Sequence, residues 1–193
     1  MDRKTKVRQE ALKDRRSLGL QTVQRLSAKA QEKVLSLSEF SRANTVAGYV
    51  AKPDEVQTAG VLNAALSQGK RVIAPRSDPS SDEMQFYQVE SLEDLVPGGF
   101  GVLEPPPTAK AVPLSDSQLV LVPVVAWDEV GQRIGYGRGY FDRALKSRGD
   151  ALAAGLAFEL QRHDHIPATS DDARLDLLIT EQRVLRFGRN PVD

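Results

Sequence analysis

The sequence has 193 residues, of which 40% are hydrophobic and 27% charged, proportions typical of one globular domain spanning residues 1–193. Lysines plus arginines and aspartates plus glutamates both number 26, so the formal net charge is zero, which argues against broad electrostatic binding to nucleic acid or to an anionic membrane. There is no cysteine, which excludes disulfides, thiolate metal sites and cysteine nucleophiles.

The sequence predicts neither a membrane-spanning helix nor a signal peptide. No apolar stretch reaches the roughly 18 to 20 residues that a membrane-spanning helix needs. The first sixteen residues, MDRKTKVRQEALKDRR, are too charged for a signal peptide, which requires an apolar segment. We therefore expect a cytoplasmic monomer that contacts neither a membrane nor nucleic acid.

Two helices are predicted at the start of the chain. Residues 2 to 17 predict a basic helix in which Lys4 and Arg8, four positions apart, share one face. A solvated charged helix and a cationic clamp on a phosphate group both fit this segment. Residues 21 to 38 predict an amphipathic helix with three-four spacing of apolar residues. Its core-facing residues are Val23, Leu26, Ala30, Val34 and Leu37.

A strand–helix–strand pattern follows. Residues 45 to 50 predict a short strand, and Pro53 with Asp54 end it. The next helix stops at Gly69, as a helix C-terminus commonly does, and residues 70 to 75 predict another strand. This βαβ unit predicts a parallel sheet with a right-handed crossover.

The remaining chain alternates between predicted strands and loops. Residues 118 to 125 are the most apolar run, and the absence of alternation predicts a strand covered on both faces at the centre of a sheet. No regular structure is expected in the Gly- and Pro-rich segment from 97 to 113. The other elements are a polar loop at 77–83, a helix at 139–147, and strands at 84–89, 152–158, 174–180 and 182–187. The alternation predicts a three-layer α/β/α domain with a mainly parallel central sheet.

The most informative stretch is the glycine-rich loop within LVLVPVVAWDEVGQRIGYGRGYFDRAL, residues 119 to 145. Glycines leave backbone amides open and permit positive φ, so successive N–H groups converge on an anion. A following helix start adds partial positive charge, and Arg133 and Arg138 add full charges. The loop matches neither the Walker A motif nor the Rossmann fingerprint. Spacing alone leaves a phosphate-binding loop and an ordinary strand-to-helix turn open.

Two carboxylates are candidates for a metal site beside this loop. Asp142 next to a phosphate cradle repels a polyanion unless a cation lies between them, and Mg²⁺ held by carboxylates and phosphates is the usual solution. Asp176, at the start of the predicted strand 174–180, is the candidate second ligand. The alternatives are a first-turn aspartate favoured by the helix dipole and an ordinary charge at a strand end.

The motif GQRIGYGRGYFDR at residues 131 to 143 is very similar to the signature of the 5-formyltetrahydrofolate cyclo-ligases, also called methenyltetrahydrofolate synthetases. The resemblance covers nearly the whole chain in the same order and spacing. The other matching positions are Lys4, Arg8, Tyr49, 55–58, 69–70, 75–76, 101–105, Pro123, 126–128, 155–158, 166–167, Asp172 and Asp176.

The resemblance implies a fold similar to that of ribose-phosphate isomerases and CoA transferases. It also implies ATP- and Mg²⁺-dependent conversion of 5-formyltetrahydrofolate to 5,10-methenyltetrahydrofolate, with ADP and phosphate released and the formyl oxygen phosphorylated on the way. By position, the implied ATP contacts are Lys4, Arg8, Arg133, Ile134, Gly135, Tyr136, Gly137, Arg138, Gly139, Tyr140 and Phe141. The implied folate contacts are Lys52, Glu55, Gln57, Tyr136, Gly137, Arg138, Gly139 and Tyr140. The implied catalytic residues are Arg133, Tyr140 and Asp142, and the implied Mg²⁺ ligands are Asp142 and Asp176.

The chain departs from the family pattern at three positions. Gln57 stands where an acidic residue is common, Phe141 where a second tyrosine is usual, and Trp127 where phenylalanine is common.

Two other functions compete with the cyclo-ligase: a non-catalytic folate- or nucleotide-binding paralogue, and an enzyme like the sugar-phosphate isomerases. Asp142, Arg133 and the basic pair at positions 4 and 8 together argue against the paralogue. The isomerase-like function would need neither the basic pair nor a second aspartate.

Overall fold

A computed structural model describes residues 2–77 and 84–188, so the predicted loop at 77–83 lies outside the described residues except for its first position. The helices are α1 (Arg3–Arg16), α2 (Leu20–Ser36), α3 (Ser38–Arg42), α4 (Ala59–Ser67) and α5 (Tyr140–Lys146). The strands are β1 (Thr45–Ala47), β2 (Arg71–Ser77), β3 (Met84–Val89), β4 (Val96–Pro97), β5 (Leu103–Glu104), β6 (Leu119–Pro123), β7 (Ala126–Trp127), β8 (Arg133–Ile134), β9 (Leu152–Leu156), β10 (Leu177–Ile179) and β11 (Val184–Arg186).

Seven strands form one sheet in the order β11-β10-β9-β6-β1-β2-β3. The pairs β10–β9, β9–β6, β6–β1 and β1–β2 are parallel, and only the edge strands β3 and β11 pair antiparallel. This confirms the predicted mainly parallel sheet and the βαβ unit formed by β1, α4 and β2. Within the described ranges, no helix is long and apolar enough to cross a bilayer.

The central strand β6 explains the three-layer arrangement. Leu119 and Leu121 belong to one hydrophobic cluster, and Val120 and Val122 belong to the other, because successive side chains of a strand point to opposite faces. The first cluster contains apolar residues of α2 and α4, and the second contains Ala144 of α5. Helices therefore cover both faces of the sheet, as the unbroken apolar run predicts.

Two predicted elements differ in detail. The amphipathic segment 21–38 is interrupted at Leu37, whose extended backbone separates α2 from α3. The Gly- and Pro-rich segment, predicted to lack regular structure, contains the antiparallel pair β4–β5. The N–H of Gly98 donates to the carbonyl of Val102 and closes the turn between these two strands. The turn carries Phe100 at φ 57°, a conformation rare for residues other than glycine.

The sheet topology determines where a ligand fits. From β1 the chain proceeds to β2 and β3 on one side, and later returns to β6 on the other side. The reversal creates a crevice between β1 and β6 at the carboxyl ends of the parallel strands, which is where open α/β sheets bind their ligands.

Candidate active site

A cavity of about 530 Å³ opens at the carboxyl ends of the central strands. Its wall includes Tyr49 and Val50 after β1, Pro75 of β2 and Pro123 of β6. Residues from α1, the glycine-rich loop and the β4–β5 turn complete it. The structure brings the following predicted site residues into this one wall: Lys4, Arg8, Lys52, Glu55, Arg133, Ile134, Gly135, Tyr136, Gly137, Arg138, Gly139, Tyr140, Phe141 and Asp142.

The glycine-rich loop approaches α1 closely at Gly137. Its φ of +101° lies in a region that L side chains rarely adopt, and a Cβ built there would stand 3.1 Å from Cζ of Arg8. Gly139, also at positive φ, precedes α5, which has only seven residues. Because a helix this short has a weak dipole, the side-chain cations rather than the helix supply most of the positive charge here.

Helix α1 contributes two cations to the cavity. Nε of Arg8 donates to the carbonyl of Gly135 at 2.9 Å, which ties the helix to the loop. Nζ of Lys4 donates to both carboxylate oxygens of Asp172, at 2.6 and 2.5 Å. Both residues line the cavity. This arrangement favours the cationic clamp over the solvated helix, the two interpretations that the sequence left open.

Asp142 accepts two hydrogen bonds on one oxygen. Nη2 of the buried Arg133 donates to its Oδ1 at 2.7 Å, and the N–H of Ala173 donates to the same atom at 3.1 Å. Burial lowers the pKa of Arg133, and the charge of Asp142 opposes that shift. The side chain of Asp142 is 26% exposed, and its Oδ2 accepts no hydrogen bond from the residues that the structure describes. One carboxylate oxygen is therefore available to a cation in the cavity.

Asp176 does not join Asp142 at the cavity, contrary to the predicted metal pair. Its carboxylate accepts hydrogen bonds from Arg148 at 3.1 Å and from the N–H of Ala153 at 2.8 Å. Ala153 lies near the start of β9, and Asp176 immediately precedes β10. Asp176 is thus at the amino ends of the parallel strands and serves a structural ion pair, whereas the cavity is at their carboxyl ends.

Asp172 occupies the place in the cavity wall that was predicted for Asp176. Burial raises the pKa of Asp172, but hydrogen bonds from Lys4 and Thr169 outweigh burial, so the pKa lies below its ordinary value. In the sequence, Asp172 was noticed only because it matches the C-terminal part of the family pattern, and that match assigned it no role. Across residues 2–77 and 84–188, no group of three or more His, Asp or Glu side chains forms a ready metal cage.

A buried carboxyl group lies elsewhere in the cavity wall. Glu55 is 4% exposed and accepts the N–H of Lys52 on Oε2 at 2.6 Å. Burial raises the pKa of Glu55 and also that of Tyr136. Nζ of Lys52 stands 4.3 Å from the centroid of the Tyr136 ring, a cation–π contact.

Gln57 is not in the cavity wall among the described residues, although a substrate contact was predicted for it. Its Nε2 donates to the carbonyls of Lys52 and Glu55, at 2.8 and 2.9 Å. Since these bonds hold the turn from which Glu55 projects, Gln57 acts on the site through the backbone. An amide can donate these bonds whereas a carboxylate cannot. This is consistent with a glutamine at position 57, where the family pattern commonly has an acidic residue.

Phe100 is a wall residue that the sequence did not identify. The centroid of its ring lies 4.4 Å from Cζ of Arg138 and 6.0 Å from the ring centroid of Tyr140. The ring is 41% exposed, so much of its surface faces the open cavity or solvent. A lone aromatic between glycines in a Pro-rich segment was its only sequence signal.

We expect Glu55→Gln to stabilise the fold at neutral pH. The folded-state pKa of Glu55 lies above its unfolded value because of burial, so ionising it costs stability as pH rises from about 4.5 through the folded pKa. The substitution removes that cost, and the melting temperature should rise by about 2–4 °C at pH 8. The gain should shrink towards zero at pH 4, where the carboxyl group is neutral in both states.

Thermal unfolding of both proteins at pH 4 and pH 8 tests this expectation. Glu10→Gln, at an exposed position of α1, is the control for the loss of one surface charge. A stability difference between Glu55→Gln and the parent that is the same at both pH values would contradict the assignment of a burial cost to Glu55.

The wall thus combines two chemical surfaces. Lys4, Arg8 and Arg133 with the open glycine loop form a surface for a polyanion. Glu55 and its neighbouring aromatic rings form a surface for a flat, polar ring with N–H donors. Both surfaces line the same cavity.

Comparison with known proteins shows what the whole chain is similar to. Residues 1–181 match the model of the 5-formyltetrahydrofolate cyclo-ligase family. A probable 5-formyltetrahydrofolate cyclo-ligase from Schizosaccharomyces pombe is 31% identical over 171 residues, covering 80% of this chain and 83% of the relative. A 5-formyltetrahydrofolate cyclo-ligase from Mycolicibacterium smegmatis is 30% identical over 185 residues, covering 93% and 94% of the two chains.

Solved structures give the same likeness. The NMR structure of 5,10-methenyltetrahydrofolate synthetase from Aquifex aeolicus superposes with a TM-score of 0.84 at 33% identity, covering 98% of this chain and 96% of the other. A 5,10-methenyltetrahydrofolate synthetase from Mycoplasma pneumoniae has a TM-score of 0.76 at 22% identity, with 93% and 99% covered, which bears on the fold alone.

Proposed function

The chain belongs to the 5-formyltetrahydrofolate cyclo-ligase family, and from this premise we propose that it uses ATP and Mg²⁺ to convert 5-formyltetrahydrofolate into 5,10-methenyltetrahydrofolate, releasing ADP and phosphate. The observation that carries the proposal is one cavity whose wall contains both a cationic, glycine-lined surface and a buried carboxyl group. A ligase that joins phosphoryl transfer to ring closure needs both substrates within one enclosure.

The cationic surface is suited to the triphosphate of ATP. Arg8 and the backbone of Gly137 approach each other closely, so a phosphate group held by the loop also meets the guanidinium. Lys4 and Arg138 lie in the same wall and add two more positive charges. Arg133, fixed by Asp142 and by the carbonyl of Ala173, is a rigid positive group suited to the charge that develops during phosphoryl transfer.

Asp142 fits the requirements of a Mg²⁺ ligand beside those phosphates. It has one carboxylate oxygen without a hydrogen bond from the described residues, whereas both oxygens of Asp172, in the same wall, accept hydrogen bonds from Lys4. One or two carboxylates with substrate phosphates are a common protein setting for this ion, so a ready cage of three side chains is not required. When bound, Mg²⁺ supplies charge neutralisation between the phosphate oxygens.

The second surface is suited to the folate. The carboxyl group of Glu55 accepts hydrogen bonds, which matches the N–H donors of a pterin ring. Lys52 and Tyr136 flank it, and the rings of Tyr140 and Phe100 provide apolar faces on which a flat ring can stack. Gln57 holds the turn that bears Glu55 rather than the ligand itself.

The chemistry follows from bringing the two ligands together. The formyl oxygen attacks the γ-phosphorus of ATP and ADP leaves, which converts a poor leaving group into a phosphate ester. The N10 nitrogen of the folate then adds to the formyl carbon, loses its proton, and the bond from carbon to the phosphorylated oxygen breaks to release phosphate. The residues of the chain align the ligands, exclude water and balance charge, which is most of what enzymes contribute to phosphoryl transfer.

The direct test is the near-ultraviolet absorbance of the methenyl product when the protein receives 5-formyltetrahydrofolate and MgATP. We expect product formation that depends on both ATP and Mg²⁺, with one ADP released for each product molecule. Folded protein that binds ATP but forms no product would instead identify a non-catalytic paralogue.

A further inference from the structure

Arg15 continues the inward face of α1 into the interior of the protein. Lys4, Arg8, Ala11 and Arg15 are spaced by four, three and four residues, so they form one stripe along the helix. Arg15 is only 1% exposed, whereas arginine is among the side chains least often fully buried. Burying a guanidinium is costly unless its donors are paired. The pairing of Arg15 therefore indicates what this residue does.

The guanidinium of Arg15 lies between an aspartate and a tyrosine. Nη2 donates to Oδ2 of Asp54 at 2.9 Å and to the hydroxyl of Tyr136 at 2.5 Å, and Nε donates to Asp54 at 3.2 Å. Asp54 is adjacent to Glu55 in the turn after β1, and Tyr136 is in the glycine-rich loop. Arg15 thus fastens together two segments that come from opposite sides of the crevice.

Two cationic side chains hold Tyr136. Its hydroxyl accepts a hydrogen bond from Arg15, and Nζ of Lys52 lies over its ring. The residue is 38% exposed and lines the cavity, so it is not held by burial in the core. Its orientation accordingly depends on the hydroxyl anchor.

We propose that Arg15 is a positioning residue for the folate surface: by holding the Tyr136 hydroxyl, it keeps Glu55 and the Tyr136 ring in the arrangement that receives the substrate ring. The proposal rests on the proposed function for the identity of that ring. The contacts that carry it are the bonds from Arg15 to the Tyr136 hydroxyl and to Asp54, which is the neighbour of Glu55 in its turn. Arg15 itself does not line the cavity in the described part of the chain.

The positive charge of Arg15 also acts on the ionisation of Glu55. Burial raises the pKa of Glu55, and the bonds from the Lys52 backbone and Tyr136 and the charges of Arg15 and Lys52 lower it in part. The other ionisable groups facing this cluster are Asp54, which pairs with Arg15, and the buried Tyr49, on which Glu55 acts electrostatically. Removing the charge of Arg15 therefore moves the pKa of Glu55 further upward.

The test is the substitution Arg15→Met, which keeps the length of the side chain and removes its donors and charge. We expect the Kd and KM for 5-formyltetrahydrofolate to rise about tenfold, the cost of losing about one hydrogen bond to a charged group, while the KM for ATP changes less than twofold. The acid limb of the pH profile of kcat/KM should shift to higher pH. Arg15→Lys, which keeps the charge without the fork of donors, should leave that limb in place.

Two further variants separate positioning from a general loss of structure. Arg16→Met removes an exposed arginine from the same turn of α1 and should behave as the parent protein. In a Tyr136→Phe background, Arg15→Met should cause little additional loss of folate affinity, because the anchored hydroxyl is already gone. If Arg15→Met does not fold, as judged by circular dichroism, Asp54→Asn at the 26%-exposed partner should give a smaller change of the same kind.

Equal losses of ATP and folate affinity, an unchanged folate Kd, or full additivity with Tyr136→Phe would overturn the proposal. Equilibrium dialysis of 5-formyltetrahydrofolate separates this failure from failure of the proposed function. A parent protein that binds the folate without forming product refutes the activity, and the dependence of Kd on Arg15 still decides the inference. A parent protein that neither binds nor converts the folate refutes both.

Discussion

Asp142→Asn is expected to lower the turnover of the enzyme by about 10²–10³-fold, the usual effect of removing one fixed electrostatic group from a reaction centre. The change keeps the shape of the side chain and an oxygen that can accept from Arg133 and from the N–H of Ala173. It removes the negative charge that the proposed Mg²⁺ needs. The half-saturating Mg²⁺ concentration should rise along with the loss of turnover.

Folding should survive this substitution, although some stability will be lost. Arg133 keeps its bond to the carbonyl of Ala173 but loses its ionic partner, which should cost about 1–3 kcal/mol. Urea denaturation measures that cost, and product formation over a range of Mg²⁺ concentrations measures the catalytic effect. Asp171→Asn is the matched control, because Asp171 is 86% exposed and pairs with the exposed Lys146. Near-normal rates of Asp142→Asn at all Mg²⁺ concentrations would show that the metal assignment is wrong.

Gly137→Ala is expected to raise the KM for ATP by about 10- to 100-fold. The backbone at Gly137 has a φ of +101°, which costs an alanine roughly 1–2 kcal/mol, and the new methyl group would press on Arg8 at 3.1 Å. Either the loop or the Arg8 guanidinium must shift to admit the methyl group, and either shift separates the backbone amides from the guanidinium. Initial-rate kinetics with ATP varied at saturating folate measure the effect.

Gly69→Ala separates backbone strain from the loss of the binding surface. Gly69 has a φ of +71° after α4, and a Cβ there would meet nothing within 4 Å. This variant should lose a similar amount of stability, about 1 kcal/mol, without any change in the KM for ATP. If both glycine variants weaken ATP equally, or neither does, the close approach of Gly137 and Arg8 has no special part in binding.

Patterns within a few residues determined much of the fold. The unalternating run of β6 identified a strand covered on both faces, and the strand–helix–strand spacing around α4 identified a parallel pair. Both predictions depend on the short-range spacing of apolar residues, which reflects which side chains are buried. The segment from 97 to 113 was harder to predict, because glycine and proline mark turns without specifying what the turns connect. Its hairpin is what brings Phe100 to the cavity.

In the candidate site, too, local motifs could be predicted from the sequence and contacts between distant segments could not. The glycine loop and the pair Lys4 and Arg8 were visible in the sequence, since each is a local motif, and the structure places them in one wall. The sequence did not show which second carboxylate lies in the cavity wall. Asp172 and Asp176 are only four residues apart, and both match the family pattern. One lies in the cavity wall with Lys4, and the other lies at the amino ends of the strands with Arg148.

The sequence by itself therefore determined the layers of the fold, the phosphate-type loop and the family resemblance, all of which follow from local spacing and residue type. Only the tertiary structure decided which aspartate faces the cavity, that Gln57 holds a turn, and that Arg15 joins α1 to Tyr136. Those three depend on contacts between segments far apart in the chain. Such contacts are fixed by packing around the whole sheet. The spacing of residues along α1 shows that Arg15 faces inward, but it does not show which residues Arg15 contacts.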